Sequence, residues 1–364
     1  MRVLVVAGAS GGHIYPASAF LEKLKEEKSV SDTLLVLPLR SIKTDFKSCG
    51  CKIIYISSAQ VSFSLNYSNI IALFKFIKGS WESFRILLKF KPDCVVGFGS
   101  LDSIPLVILA WFFRIKTLIH EQNVLPGRAN KFLAKFSDKI AISFPDSKCL
   151  LGCRDEKIVL TGNPIRQGLR KMGKEEALNF FGLDKNKFTI LVMGGSQGSR
   201  HINDAFLEVI ALMNDISGVQ VIHIAGKDDE NKVADAYKKI NIRAKVFGFF
   251  SSMEYAYSAS DLVICRAGAT TIAELIHFKL PAILIPYPFA YAHQFKNARI
   301  LEVEGAGIII KDDEFKVDRL NKLLECFIRN PDVAAVMREH YTGVFKYDAG
   351  SELVKATMAL LMAQ

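Results

Sequence analysis

Apolar residues along the chain fall into short unbroken runs separated by segments of helical period. Val3–Ala7, Thr33–Leu37, Lys52–Ile56, Cys94–Gly97, Thr117–His120 and Lys139–Ile142 read as strands. Runs without polar alternation belong to strands covered on both faces. Between them lie segments of helical spacing such as Pro16–Lys28, and Gly8–Gly12 punctuates the passage from first strand to first helix. The pattern restarts at Phe188–Met193, followed by Gly194–Gly198 and a predicted helix over Asn203–Met213. Further strands are expected at Val219–Ile224, Lys245–Phe247, Asp261–Cys265 and Ala282–Ile285. Setting VLVVAGASGGHIYPASAF over ILVMGGSQGSRHINDAF pairs Gly8 with Gly195 and Phe20 with Phe206, with one residue of slippage.

Alternating strands and helices predict an α/β protein of two doubly wound, Rossmann-like domains facing a central cleft, since their ligand loops lie at the strand C-termini. Gly162, Asn163 and Pro164 break any element near Thr161–Arg170. The expected division is a first domain over 1–162, a second over 163–345, and a C-terminal segment over 346–364. The helix Ser351–Ala363 in that segment is expected to pack back on the first domain.

Composition narrows this picture. A length of 364 residues exceeds what one core comfortably fills, and 50% apolar with 23% charged residues describes a folded protein. The formal charge of +10 calls for an anionic partner. No long basic tract or nucleic-acid motif is visible, so anionic lipid or a phosphorylated ligand is expected and nucleic acid is not. The seven cysteines form no C-x-x-C pair. Cys94 and Cys265 lie in apolar runs as small hydrophobes, and Cys49-Gly50-Cys51 has no partner pair of matching spacing. Met1 leads directly into a strand, so no secretory leader is expected. The apolar stretch Ile104–Phe113 is far short of the roughly 20 residues that span a bilayer. The expected location is the cytoplasm or a membrane surface.

The glycine loops exclude several ligands. Gly8-Ala9-Ser10-Gly11-Gly12 ends a strand and opens a helix, so its amides can meet an anion. It is not G-x-G-x-x-G, and the second strand ends Leu37-Pro38-Leu39-Arg40 without the acid that holds an NAD ribose. No G-x-x-x-x-G-K-[ST] occurs, which removes the P-loop nucleotidases. Gly194-Gly195-Ser196-Gln197-Gly198 is by itself either a tight turn or a ligand loop. Arg166, carried by Thr161-Gly162-Asn163-Pro164-Ile165, suits a diphosphate because a guanidinium binds phosphate oxygens bidentately.

The richest stretch is Cys265-Arg266-Ala267-Gly268-Ala269-Thr270-Thr271-Ile272-Ala273-Glu274. In structural terms alone, Thr270 caps a helix and Glu274 favours its dipole. In functional terms, the helix start holds a diphosphate while Glu274 accepts hydrogen bonds from a ribose diol. No D-x-D is present, so no metal or other cofactor is implied; helix dipole and arginine would stabilise the leaving group. His13 follows the first glycine loop, and His120-Glu121-Gln122-Asn123 ends a strand at the same expected edge. Either is a polar turn or a ligand contact.

With these loops in place the chain resembles the MurG family, the N-acetylglucosaminyltransferases that complete the lipid-linked peptidoglycan precursor. Six motifs carry the resemblance in order. They are Gly11-Gly12-His13 with Pro16; His120 to Asn123; Thr161 to Arg166; Gly194 to Gly198 with Asn203; Cys265 to Glu274; and His293-Gln294 with Asn297-Ala298. The resemblance implies a GT-B fold, UDP-N-acetylglucosamine as donor and undecaprenyl-pyrophosphoryl-N-acetylmuramyl-pentapeptide as acceptor. Transfer would be inverting and metal-independent, at the cytoplasmic face of the bacterial inner membrane. It puts His13 at the general base or acceptor site with Glu121 as rival. It puts Ser10, Gly11, Gly12, Asn123, Arg166, Ser196, Phe250, Ala269, Thr270, Thr271, Ile272, Ala273, Glu274 and Gln294 at contacts with the donor substrate. Among these, Glu274 meets the ribose, Gln294 the sugar and the backbone at Phe250 the uracil.

One loop departs from the family. Gly97-Phe98-Gly99-Ser100-Leu101-Asp102-Ser103 stands where G-x-G-G-Y-x-S is usual, so Leu101 replaces a tyrosine on the acceptor side. A lipid-linked acceptor also requires surface binding. Phe63–Lys91 interleaves Phe74, Phe76, Ile77, Trp81, Phe84, Ile86 and Leu87 with Lys75, Lys78, Arg85, Lys89 and Lys91. Such a segment suits an anionic membrane interface, or is an amphipathic helix with a solvated basic face. Alternatives within reach are another GT-B enzyme, such as a glycolipid glycosyltransferase or a UDP-N-acetylglucosamine epimerase, and a non-catalytic sugar-nucleotide-binding subunit.

Overall fold

A computed structural model of the chain describes residues 1–41, 50–58, 67–195, 198–213, 215–288, 293–342 and 348–363. The chain divides into two compact units, one of Met1–Gln167 with Tyr347–Gln364 and one of Gly168–Lys346.

The first unit is built on seven strands: β1 Arg2–Val6, β2 Asp32–Pro38, β3 Lys52–Ile56, β4 Cys94–Gly97, β5 Lys116–Glu121, β6 Lys139–Ile142 and β7 Ile158–Leu160. Their order across the sheet is β3-β2-β1-β4-β5-β6-β7, and every pairing is parallel. Alternate residues of one strand serve opposite faces. Val3, Val5 and Ala7 pack with Phe20, Leu21 and Leu24 of the helix Gly11–Leu24. Leu353, Val354 and Met358 of the helix Ala349–Met362 join the same core. Leu4 and Val6 face the other way, against Ile86 and Leu87 of the helix Tyr67–Phe90 and Leu106 and Val107 of the helix Ile104–Phe112. Asp348 caps the C-terminal helix by accepting from Ser351 N (3.2 Å) and Ser351 Oγ (2.6 Å).

The second unit has six parallel strands: β8 Phe188–Met193, β9 Val219–Ile224, β10 Arg243–Phe247, β11 Leu262–Cys265, β12 Ala282–Leu284 and β13 Gly307–Ile309. Their order is β10-β9-β8-β11-β12-β13, again parallel throughout. Counted from its own first strand, the second unit therefore reads 3-2-1-4-5-6, and the first reads the same with a seventh strand added at the end. The short match between the two glycine loops thus reflects one topology used twice. In each sheet the order reverses between the first and fourth strands, and ligands of doubly wound sheets bind outside the strand ends at that reversal.

Several elements differ from expectation. The first helix starts at Gly11, not Pro16, so the glycine loop itself forms its opening turn. Pro16 then lies inside the helix and removes the donor that the Gly12 carbonyl would otherwise take. The helix expected over Asn203–Met213 spans Arg200–Leu212. The strands β7 and β13 were not anticipated. Each has three residues, too few for a period to show, and each is recruited at or near a sheet edge by its neighbour.

Because Leu353 is fully buried against the first unit's core, Leu353→Ala should destabilise the full chain by about 2–5 kcal/mol. Urea unfolding followed by circular dichroism measures this.

Candidate active site

At the reversal in the first sheet, two loops approach closely. The loop after β1 carries Ser10 as N-cap of the helix Gly11–Leu24, its carbonyl accepting from His13 N (3.0 Å) and Ile14 N (3.1 Å). The loop after β4 holds Gly99 and Ser100 at φ 77° and 76°. A β-carbon at Gly8 would stand 2.9 Å from His13 Cδ2 and nearer still to Ser100 Cβ. One at Gly99 would stand 3.3 Å from His13 Cε1. The imidazole thus occupies room that only glycine leaves on either side. Arg40, which follows the second strand, pairs with buried Asp102 (2.7 Å) and bonds Ser58 Oγ (2.9 Å). Ser100 Oγ donates to the same Asp102 carboxylate (2.9 Å), so this ion pair secures the loop in which Leu101 is exposed.

The strand β5 delivers the polar cluster beside His13. His120, Glu121 and Gln122 are all buried. Glu121 accepts four hydrogen bonds, from Asn123 N (2.9 Å), Asn123 Nδ2 (3.3 Å), Gly127 N (3.0 Å) and Asn130 Nδ2 (2.8 Å). His120 Nε2 lies 3.0 Å from Gly162 O, and its Nδ1 3.1 Å from Gln122 Nε2. Gln122 Oε1 lies 3.2 Å from His13 Nδ1. Burial lowers the pKa of His13, opposed by the Glu121 carboxylate, Gln122, the Phe98 carbonyl and Asp102. Burial also lowers His120 to about 4, against the Gly162 hydrogen bond and with some help from His13. Both imidazoles are neutral at neutral pH. Arg166 extends over the Tyr15 ring at 4.8 Å, beside the same first helix.

In the second unit the corresponding reversal lies between β8 and β11. Ser196 lies outside the described residues. The loop after β11 leads into the helix Ala269–Phe278, whose N-cap is Gly268 and not Thr270. Thr270 is a first-turn residue, and among the described residues its buried hydroxyl has no hydrogen-bond partner. Ala269 and Ile272 are buried in the core, so only their backbone is offered outward. Thr271 and Ala273 are half-buried on the same turn. Glu274 is buried and accepts from Tyr257 Oη at 2.6 Å.

The loop before this helix is clamped from one side. Gln294 Oε1 accepts from Ala267 N (3.1 Å) and Tyr287 N (2.9 Å), while Asn297 Nδ2 donates to Ala267 O (3.2 Å). Arg266 pairs with Asp312, donates to Ile285 O (3.2 Å) and Ser199 Oγ (3.1 Å), and so ties the loop after β11 to the one after β8. Asn203 donates to Ala225 O (2.9 Å) and Asp229 Oδ2 (3.0 Å), and faces His223 Nε2 with Oδ1 (3.0 Å). Phe250 packs among Phe247 (4.6 Å) and Phe181 (5.4 Å).

Within the first unit the fold gathers Ser10, Gly11, Gly12, His13 and Glu121 with Asn123 around one reversal. Within the second it gathers Ala269 to Glu274 with Gln294. Sequence reasoning missed Asn130, Asp102 and Tyr257, whose partners lie 9, 62 and 17 residues away in the chain. Asn130 lies between Arg128 and Lys131 in the short helix Arg128–Leu133, so nothing in the local sequence marks it as the buried one.

Two doubly wound parallel-sheet units in one chain, each with a glycine loop at its strand-order reversal, are the units of the GT-B fold class. Residues 3–142 match the glycosyltransferase family 28 N-terminal domain, and residues 189–353 its C-terminal domain. The UDP-N-acetylglucosamine--N-acetylmuramyl-(pentapeptide) pyrophosphoryl-undecaprenol N-acetylglucosamine transferase of Halothermothrix orenii is 38% identical over 91% of each chain. The enzyme of the same name from Thermodesulfovibrio yellowstonii is 35% identical over 99% of each. The crystal structure of Acinetobacter baumannii MurG shares the fold, with a TM-score of 0.75 at 24% identity, over 99% of this chain and 100% of that one. The chain belongs to the MurG family, within glycosyltransferase family 28.

The buried neutral histidines make stability depend on pH. His120, at about 4, and His223, lowered by burial to about 3, stay unprotonated where the unfolded chain, near 6.5, takes up protons. Their contribution is whole above pH 6.5 and is lost as pH falls toward 4 and 3, by about 1.4 kcal/mol per pH unit for each group. The urea midpoint of the full chain should therefore fall between pH 7.5 and pH 5; an unchanged midpoint would contradict the neutral burial of these rings.

Proposed function

We propose that the chain transfers N-acetylglucosamine from UDP-N-acetylglucosamine to the 4-hydroxyl of undecaprenyl-pyrophosphoryl-N-acetylmuramyl-pentapeptide, with inversion. The product is the lipid-linked disaccharide precursor of peptidoglycan. The observation that carries this function is full-length relatedness to enzymes of that name, joined to an intact polar site at both strand-order reversals.

The first unit takes the acceptor and the second the donor. His13 Nε2 removes the proton from the incoming hydroxyl as the oxygen attacks the anomeric carbon and UDP departs. His13 is preferred to Glu121 because that carboxylate already accepts four hydrogen bonds from its own loop. The amides opening the helix Ala269–Phe278 meet the charge on the leaving diphosphate, which is chemistry that requires no metal. Glu274, held by Tyr257, accepts from the ribose hydroxyls. Gln294 has its carbonyl committed to two backbone amides, so it offers the sugar its amide donors. Ser10, Gly11, Gly12, Asn123, Ser196 and the backbone at Phe250 complete the substrate contacts.

The acceptor's lipid implies docking at the cytoplasmic face of the inner membrane. Among the described residues no helix is long and apolar enough to cross a bilayer. The helix Tyr67–Phe90 instead exposes Phe74, Ile77 and Trp81 beside Lys75, Lys78 and Arg85. The end of the helix Ile104–Phe112 adds exposed Trp111 and Phe112, with Phe113 and Arg114 following. Phe84 and Phe113, 5.9 Å apart, join the two helices into one apolar face with a basic fringe. Such a face suits partial insertion among anionic headgroups.

Radiolabel from UDP-N-acetylglucosamine should appear in a lipid-linked muramyl-pentapeptide acceptor; free UDP without labelled glycolipid would refute transfer. His13→Ala should lower kcat by about 10²–10⁴ with little change in donor KM. Glu274→Ala should raise the donor KM by roughly 10- to 100-fold, the worth of hydrogen bonds to a charged group. Charge reversal of Lys75, Lys78 and Arg85 to glutamate should abolish binding to phosphatidylglycerol vesicles, and undiminished binding would exclude this face.

A further inference from the structure

The bonds around Gln122 determine more than packing. Its Nε2 lies 3.3 Å from Phe98 O and 3.1 Å from His120 O, two carbonyls that can only accept. The amide is therefore oriented with nitrogen toward those carbonyls and oxygen toward His13. At the far end, His120 Nε2 faces Gly162 O, so that nitrogen carries the ring's proton and Nδ1 faces Gln122 as a lone pair. At the near end, Gln122 Oε1 can only accept, so His13 Nδ1 must be the protonated nitrogen. His13 makes its side-chain hydrogen bond at Nδ1, with the Phe98 carbonyl also beside the ring. A neutral imidazole in water prefers its proton on Nε2, so the reverse arrangement has to be imposed.

We infer that Gln122 is a positioning residue which, anchored by the Phe98 and His120 carbonyls and backed by the His120 ring, fixes His13 in the Nδ1–H tautomer with Nε2 bare. This inference rests on His13 acting as the base, because the bare nitrogen is the one that can take the acceptor's proton. Holding the tautomer in advance removes a proton rearrangement from each turnover. It also explains why a buried glutamine follows directly on β5.

Nitrogen-15 NMR of the histidine-labelled full chain, with His13→Ala to identify the His13 signals, reads the tautomer directly. The expected wild-type result is protonated Nδ1 and unprotonated Nε2 at pH 8. In Gln122→Met the proton should redistribute toward Nε2, and kcat should fall about tenfold or more with donor KM within about twofold of wild type. Gln122→Glu keeps an acceptor against Nδ1 and should keep the tautomer. Its added charge, together with Glu121 and Asp102 near the ring and against neutral His120, should move the acid limb of the pH–rate profile to higher pH. A wild-type ring protonated on Nε2 would overturn the inference, as would a Gln122→Met chain with unchanged tautomer and rate. Because the tautomer is read without turnover, normal activity in His13→Ala would refute the base assignment separately while an Nδ1–H wild-type ring left the positioning intact.

Discussion

The close approach of the loops leaving β1 and β4 is the constraint on which the first unit's chemistry depends. These strands are hydrogen-bonded neighbours in a parallel sheet, so their C-terminal loops emerge within one strand spacing of each other. An imidazole fits between them only because residues 8 and 99 carry no side chain toward it. The same crowding dries the ring and lowers its basicity, which keeps it neutral. A neutral, enclosed imidazole has to satisfy one nitrogen internally, and β5 supplies that partner through Gln122. Glycines, strand order and the buried polar cluster are thus a single arrangement.

The second unit uses the same topology differently. Its reversal presents the start of the helix Ala269–Phe278, a place of positive partial charge and unsatisfied amides. Rigidity comes from side chains that bond the backbone of the preceding loop. Gln294 and Asn297, one turn apart, hold the amide and carbonyl of Ala267, and Arg266 bridges to Ser199. Preorganised donors are effective because they need not reorient when negative charge develops. The buried His223, Asn203 and Asp229 set does similar service beneath the loop at Ala225.

Exposed aromatic residues follow a different logic. Trp81, Phe74 and Phe112 would be unfavourable on a wholly aqueous surface of this extent, and they are gathered on two adjoining helices. The sheet-facing side of the same helices carries Ile86, Leu87, Leu106 and Val107, so both sides of each helix are apolar for separate reasons. That double use explains why the segment read ambiguously as an amphipathic helix.

The sequence by itself determined the class of fold, because a parallel sheet buried on both faces leaves unbroken apolar runs such as Val3–Ala7 and Phe188–Met193. Glycine loops between strand and helix marked both strand-order reversals, and six ordered motifs identified the family. Tertiary structure alone decided what those motifs do. His120, Glu121 and Gln122 look alike in the sequence as polar residues at a strand end. Only their partners distinguish a carboxylate saturated by Asn123, Gly127 and Asn130 from an amide that orients His13. Likewise only the fold pairs Arg40 with Asp102, 62 residues away. The physical reason is distance along the chain. Local sequence encodes backbone preference and burial, whereas the direction of a hydrogen bond depends on which remote carbonyl or amide the folded sheet brings within about 3 Å.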